Sequence, residues 1–101
     1  MLTQKVSAIK PNPYNPERDK ECEFYFESTK QKNYSVNIYN ISGQFIKSVT
    51  SEFIEQKGAA FVYQATWNGR NENGLMCTSG LYLLKVNIEN ITYIKKMLLL
   101  H

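Results

Sequence analysis

Residues 80–100 read GLYLLKVNIENITYIKKMLLL. Tyr82, Leu84, Val86 and Ile88 recur at every second position, the spacing of a strand that turns one face toward a core. Glu89-Asn90 is a turn, and ITYIKKMLLL leads the chain back. Its end, Lys95 and Lys96 followed by Met97, Leu98, Leu99 and Leu100, is a continuous apolar run behind a basic pair. Such a run predicts a last strand buried on both faces. The same ribbon end could also serve as a tag read by a partner.

Working outward, the alternation persists. In CEFYFES, Cys22, Phe24 and Phe26 alternate with Glu23, Tyr25 and Glu27. In NYSVNIYNI, Tyr34, Val36 and Ile38 share a face. Ser42-Gly43 marks a tight turn into QFIKSVT, so these two segments predict a hairpin. FVYQATW places Phe61, Tyr63, Ala65 and Trp67 together. SEFIEQKG suits a loop, an edge strand or one helical turn. Residues 5–10 are expected to form a short first strand. PNPYNP follows it and holds all three prolines of the chain; it is expected to be an extended corner, since proline lacks an N–H and restricts its predecessor. About seven short strands, with turns every ten or so residues and no helical period, predict an all-β fold, an immunoglobulin-like antiparallel β-sandwich.

The bulk numbers bound the rest. A chain of 101 residues is expected to be a single domain. The net charge of +3 is mild, and the Lys and Arg residues are spread along the sequence. Nucleic-acid binding is therefore not expected, because it calls for a clustered basic face. No apolar run approaches the roughly 20 residues of a membrane-spanning helix. Cys22 and Cys77 have no Cys or His at metal-binding spacing. They are expected to be small buried hydrophobes, although a bridge between them is left open.

The polar loop NGRNENG, residues 68–74, invites a functional assignment. A calcium loop needs several carboxylates, yet Asn68, Asn71 and Asn73 offer neutral amides and Glu72 is the only acid. Asx turns at the asparagines and positive φ at Gly69 and Gly74 account for the same composition, so the loop is expected to be a bend between core strands. Catalysis is not expected. The only histidine is His101, the last residue, and Glu23 and Glu27 stand roughly 13 Å apart at strand spacing, too wide for a glycosidase pair. Neither a cofactor nor a metal is expected. Tyr25, Tyr39 and Tyr93 suggest a sugar-binding platform as an alternative to cross-strand packing.

Four motifs fall in one order. Pro11, Asn12, Pro13, Asn15 and Pro16 form PNPYNP. Ile38-Tyr39-Asn40 and Gly43-Gln44 form a hairpin. Trp67, Gly69 and Asn73-Gly74 form a loop, followed by Ser79-Gly80 and Tyr82. Lys96, Met97 and Leu98 lie in the final strand. Over roughly residues 9–100 this order resembles the FlgD-like immunoglobulin-like domain family, which includes the flagellar hook-cap domain and the C-terminal sorting domain of the type IX (Por) secretion system. Asn68 and Asn71 stand where the family usually has aspartate, which weakens any metal role.

The resemblance implies the non-catalytic C-terminal part of a larger exported bacterial protein, with its export signal upstream of Met1. Its expected partners are the outer-membrane secretion machinery and neighbouring domains of the parent protein. Its expected route is through the periplasm to the cell surface or the medium. The tail Lys95–Leu100 would be the sorting signal. The alternatives are a hook-cap-type accessory domain and a carbohydrate-binding module.

Overall fold

A computed structural model describes residues 6–101. Seven strands form two antiparallel sheets: β1 (Cys22–Ser28), β2 (Ser35–Asn40), β3 (Phe45–Thr50), β4 (Glu52–Lys57), β5 (Ala60–Trp67), β6 (Gly80–Ile88) and β7 (Ile91–Leu99). One sheet runs β1-β5-β4 and the other β3-β2-β6-β7. This is the immunoglobulin-like sandwich that the alternation predicts. No helix occurs among the described residues.

The inward faces are those of the period-two pattern. Cys22, Phe24 and Phe26 on β1 pair with Trp67, Ala65 and Tyr63 on β5. Val36 and Ile38 on β2 pair with Val86 and Leu84 on β6. All ten side chains are buried, and each of the Val, Ile, Leu and Phe among them contributes about 1.5–3 kcal/mol when fully removed from water. The two layers meet through aromatic contacts. Trp67 and Tyr82 stand edge to face with ring centroids 5.3 Å apart. At the opposite end, Tyr34 contacts Phe26 and Tyr63 at 5.6 and 4.9 Å. The Tyr34 hydroxyl also bonds Ser28 and donates to the Lys30 carbonyl at 2.9 Å.

Three segments depart from the sequence expectation or settle it. SEFIEQKG is a strand: β4 lies at a sheet edge, exposed along its whole length. A register shift between Phe53 and Glu55 leaves Ile54 as an extra residue, the kind of bulge that blunts an open edge. The expected first strand is not one. Residues 6–10 make only isolated bridges, Val6 to Phe26 and Lys10 to Glu23, while Lys5 lies outside the described residues. The Tyr25 amide donates to the Ser7 hydroxyl rather than to a carbonyl, which interrupts the ladder. Val6 and Ile9, three positions apart, are both buried, so the segment also lacks a two-residue period.

The third departure is the tail. β7 is not buried on both faces. Met97 and Leu99 are 0% exposed, Leu98 is half-buried and Leu100 is 44% exposed. The reason is the two-layer fold: the strand turns one face to the other sheet and one outward, as the neighbouring centre strand β6 also does. Glu89 and Asn90, with φ of 53° and 70°, make the β6–β7 turn, as a primed hairpin turn requires.

Candidate functional site: the terminal strand and its clamp

The candidate site is built on the end of β7, which the PNPYNP corner seals. Outward-facing backbone groups alternate along an edge strand and need partners. Here they are the Lys96 carbonyl, the Leu98 amide and carbonyl, and the Leu100 amide. The Asn12 side chain accepts from the Leu98 amide at 3.0 Å and donates to the Lys96 carbonyl at 3.2 Å. The Tyr14 amide donates to the Leu98 carbonyl at 2.8 Å, and the Tyr14 carbonyl accepts from the Leu100 amide at 2.9 Å. Prolines at 11, 13 and 16 have no N–H to offer, so Asn12 and Tyr14 carry the pairing.

Tyr14 is also a core residue. Its ring is fully buried, and its hydroxyl donates to the Lys20 carbonyl at 3.2 Å. Burial, the largest cause, and the nearby Cys22, Glu21 and Asp19 push its phenol up to about 12. Asn15 closes the corner into a turn. Its side-chain oxygen accepts from the Glu17 amide, and its carbonyl accepts from the Arg18 and Asp19 amides.

The bend at 68–74 supports the same pole. A Cβ on Gly69, whose φ is +81°, would stand 3.1 Å from the Met76 sulfur and 3.4 Å from Pro16 and Tyr14. The corner and the bend therefore pack against each other at that glycine. The Asn68 side chain accepts from the Arg70 amide, and that of Asn71 accepts from the Asn73 and Leu75 amides. These are Asx turns, with Gly74 at φ +80° completing the bend. The Trp67 indole donates to the Arg70 carbonyl at 2.9 Å. Only the backbone of Asn73 takes part in a bond; the side chain that holds the turn is Asn71.

In the hairpin, Asn40 accepts from the Ser42 and Gln44 amides around Gly43 at φ +87°. The Tyr82 hydroxyl donates to the Thr78 carbonyl at 2.7 Å. Ser79 bonds the His101 backbone, and the His101 ring bonds the Cys77 carbonyl at 2.7 Å. Gly80 opens β6 opposite Leu99.

Several partners were not foreseeable from single motifs. Glu72, the lone acid of the bend, seals the β3 edge: its carboxylate accepts from the Ser48 amide at 3.0 Å and its amide donates to the Ile46 carbonyl. The Asn12 bonds to β7 also carry no local signal, since their partners lie far along the chain.

Other candidates are dispersed. Tyr25 lies on the outer face of β1, where Gln64 donates to its hydroxyl. Tyr39 lies on the opposite sheet under the Lys85 ammonium. Tyr93 is partly buried against the core. The three do not form one platform. Cys22 and Cys77 are free and buried. Burial pushes the Cys22 thiol up to about 12 and raises that of Cys77, so neither is an activated thiolate. Among the described residues no group of His, Cys, Asp or Glu is arranged to hold a metal, and no helix is long and apolar enough to cross a membrane.

Comparison with known proteins follows the same lines. A search of curated proteins gives no match. The solved structure of PorZ from Porphyromonas gingivalis, described as an essential bacterial surface component of the type IX secretion system, superposes with a TM-score of 0.63 at 19% identity. The similarity covers 95% of this chain and 11% of PorZ, and at that identity it bears on the fold. The family model for the FlgD Ig-like domain matches residues 16–90, from the last proline of the corner to the β6–β7 turn. With most of its strands inside that match, the chain belongs to the FlgD Ig-like domain family.

Proposed function

We propose that this domain is a non-catalytic C-terminal sorting domain, directing a larger exported protein through the outer membrane by presenting its terminal strand to the secretion machinery. The parent protein then passes through the periplasm to the cell surface or the medium. The observation that carries this is the clamp. The last residues are held as an ordered strand at one pole, with Lys96 and Leu100 exposed and the backbone edge between them occupied by Asn12 and Tyr14. A partner would therefore recognise side chains at this pole rather than add a strand at residues 96–100.

The experiment fuses residues 1–101, behind an export signal and a fluorescent reporter, in a host with a type IX system. Deleting residues 95–101 would remove Met97 and Leu99 from the core, so its failure would report unfolding. Lys96→Glu with Leu100→Ser alters only exposed side chains. The proposal expects the folded variant to accumulate in the periplasm while the parent reaches the surface. Equal surface delivery of both would refute it.

A second reading, an accessory domain of the FlgD type that packs on a neighbour, is favoured by exposed apolar side chains outside the β7 clamp itself. Ile41 and Phe45 are 65% and 52% exposed at the β2–β3 hairpin. Leu75 is 64% exposed in the bend that is bonded to β3. Under this reading, Ile41→Ser and Leu75→Ser weaken association with the adjacent domain and leave export intact.

A further inference from the structure

The two sheets differ in charge. The strands β3, β2, β6 and β7 contain four lysines, Lys47, Lys85, Lys95 and Lys96, and no acid. The strands β1, β5 and β4 contain four glutamates and one lysine, Lys57. On the outer face of the lysine sheet lies a pocket of about 420 Å³, walled by Lys32, Asn37, Tyr39, Lys85, Asn87 and Thr92 among others, none of them acidic. That volume is in the range of small-molecule sites, roughly 300–1,000 Å³.

The wall chemistry is specific. The Lys85 ammonium is held 4.7 Å above the Tyr39 ring, and the ring is braced edge to face by Phe45 at 5.9 Å. Lys32 lies over Tyr34 at 5.5 Å. Neither lysine has a carboxylate partner among the described residues. Two cations positioned by rings, without a counter-charge, favour an anion. The same wall carries amides and hydroxyls. Asn87 donates to Thr92 at 3.2 Å, while the Asn37 amide, opposite Lys85 in the β2–β6 pairing, keeps its donors and its acceptor available. Amides that both donate and accept match the hydroxyls of a sugar.

We propose that this pocket binds a saccharide unit bearing a carboxylate or phosphate. Lys85 and Lys32 meet the anion, and Asn37 and Asn87 meet the ring hydroxyls. The site is separate from the terminal clamp and does not depend on the sorting role.

The test is an ¹⁵N-resolved titration of the full chain with glucuronate, glucose 6-phosphate, glucose and inorganic phosphate. The acidic sugars are expected to shift the Asn37 and Asn87 side-chain amides, and rising salt to weaken the effect. The two acidic sugars distinguish a carboxylate from a phosphate as the preferred group. Lys85→Gln and Asn37→Ala, both outward-facing changes, are expected to weaken binding by about tenfold or more, equivalent to about 1.4 kcal/mol, with the Val36 and Leu84 amides reporting an unchanged core. Any one of three results overturns the proposal: no shift at these amides, glucose or inorganic phosphate acting as strongly as the acidic sugars, or full affinity in folded Lys85→Gln.

Discussion

Replacing Asn12 by alanine tests whether the corner holds the terminal strand. The side chain makes two bonds to β7, one from the Leu98 amide at 3.0 Å and one to the Lys96 carbonyl at 3.2 Å. A net hydrogen bond contributes about 0.5–1.5 kcal/mol, so the pair bounds the loss at about 1–3 kcal/mol. Asn12 is exposed and water can replace its partners, which puts the expected global loss near the lower limit, about 1 kcal/mol. Locally the effect is sharper. The Leu98 amide points away from β6 and loses its acceptor, whereas the Leu100 amide keeps the Tyr14 carbonyl. Native-state hydrogen exchange is the assay, because it resolves local opening from global unfolding. The Leu98 amide should exchange about fivefold to tenfold faster than the change in the Val36 amide accounts for, since 1.4 kcal/mol is tenfold, with Leu100 much less affected. Equal acceleration of Leu98 and Val36 would show that the corner is not a local clamp.

Further predictions follow from packing and charge. Gly69→Ala should lower the thermal midpoint more than Gly43→Ala. Both positions have positive φ, at about 1–2 kcal/mol for an L residue, but only at Gly69 does the new Cβ meet atoms, at 3.1 Å, while Gly43 has open space. Met97→Ala should cost about 2–5 kcal/mol in urea unfolding and Leu100→Ala less than about 0.5 kcal/mol, because the first is fully buried and the second exposed. At alkaline pH the buried Cys22 thiol, raised from 9.0 to about 12 by burial, favours the fold only while protonated. Its contribution is complete below pH 9 and is lost as pH rises through 12, by up to about 4 kcal/mol. Denaturation midpoints measured from pH 8 upward should fall, and Cys22→Ala should flatten the first part of that fall, before Tyr14 begins to lose its proton.

Local patterns made much of the fold legible. The strands β1, β2, β5 and β6 were visible because each carries buried residues at every second position. The hairpin turns were visible through Ser42-Gly43 and Glu89-Asn90. β4 was ambiguous because an edge strand exposed along its whole length has no apolar period to read. The segment 6–10 looked like a strand because it is short and mixed, but a side-chain hydroxyl stands in its ladder. KKMLLL suggested burial on both faces, since an apolar run does not say whether a further layer covers the outer face of its sheet. Of the candidate site, the residues of PNPYNP and the tail were each noticeable in sequence, whereas their contact was not.

By itself the sequence determined where the chain extends, where it turns and which side of each strand is apolar. These follow from backbone sterics, proline and glycine geometry and the two-residue alternation of side chains, all of which act between near neighbours. Tertiary structure alone decided that Asn12 meets Leu98, that Glu72 seals β3, and that the four strand glutamates lie on one sheet while four of the five strand lysines lie on the other. Those outcomes depend on which strands pair across long stretches of chain. That pairing is set by the joint burial of both apolar faces against the entropy of closing the intervening loops, so no single segment encodes it.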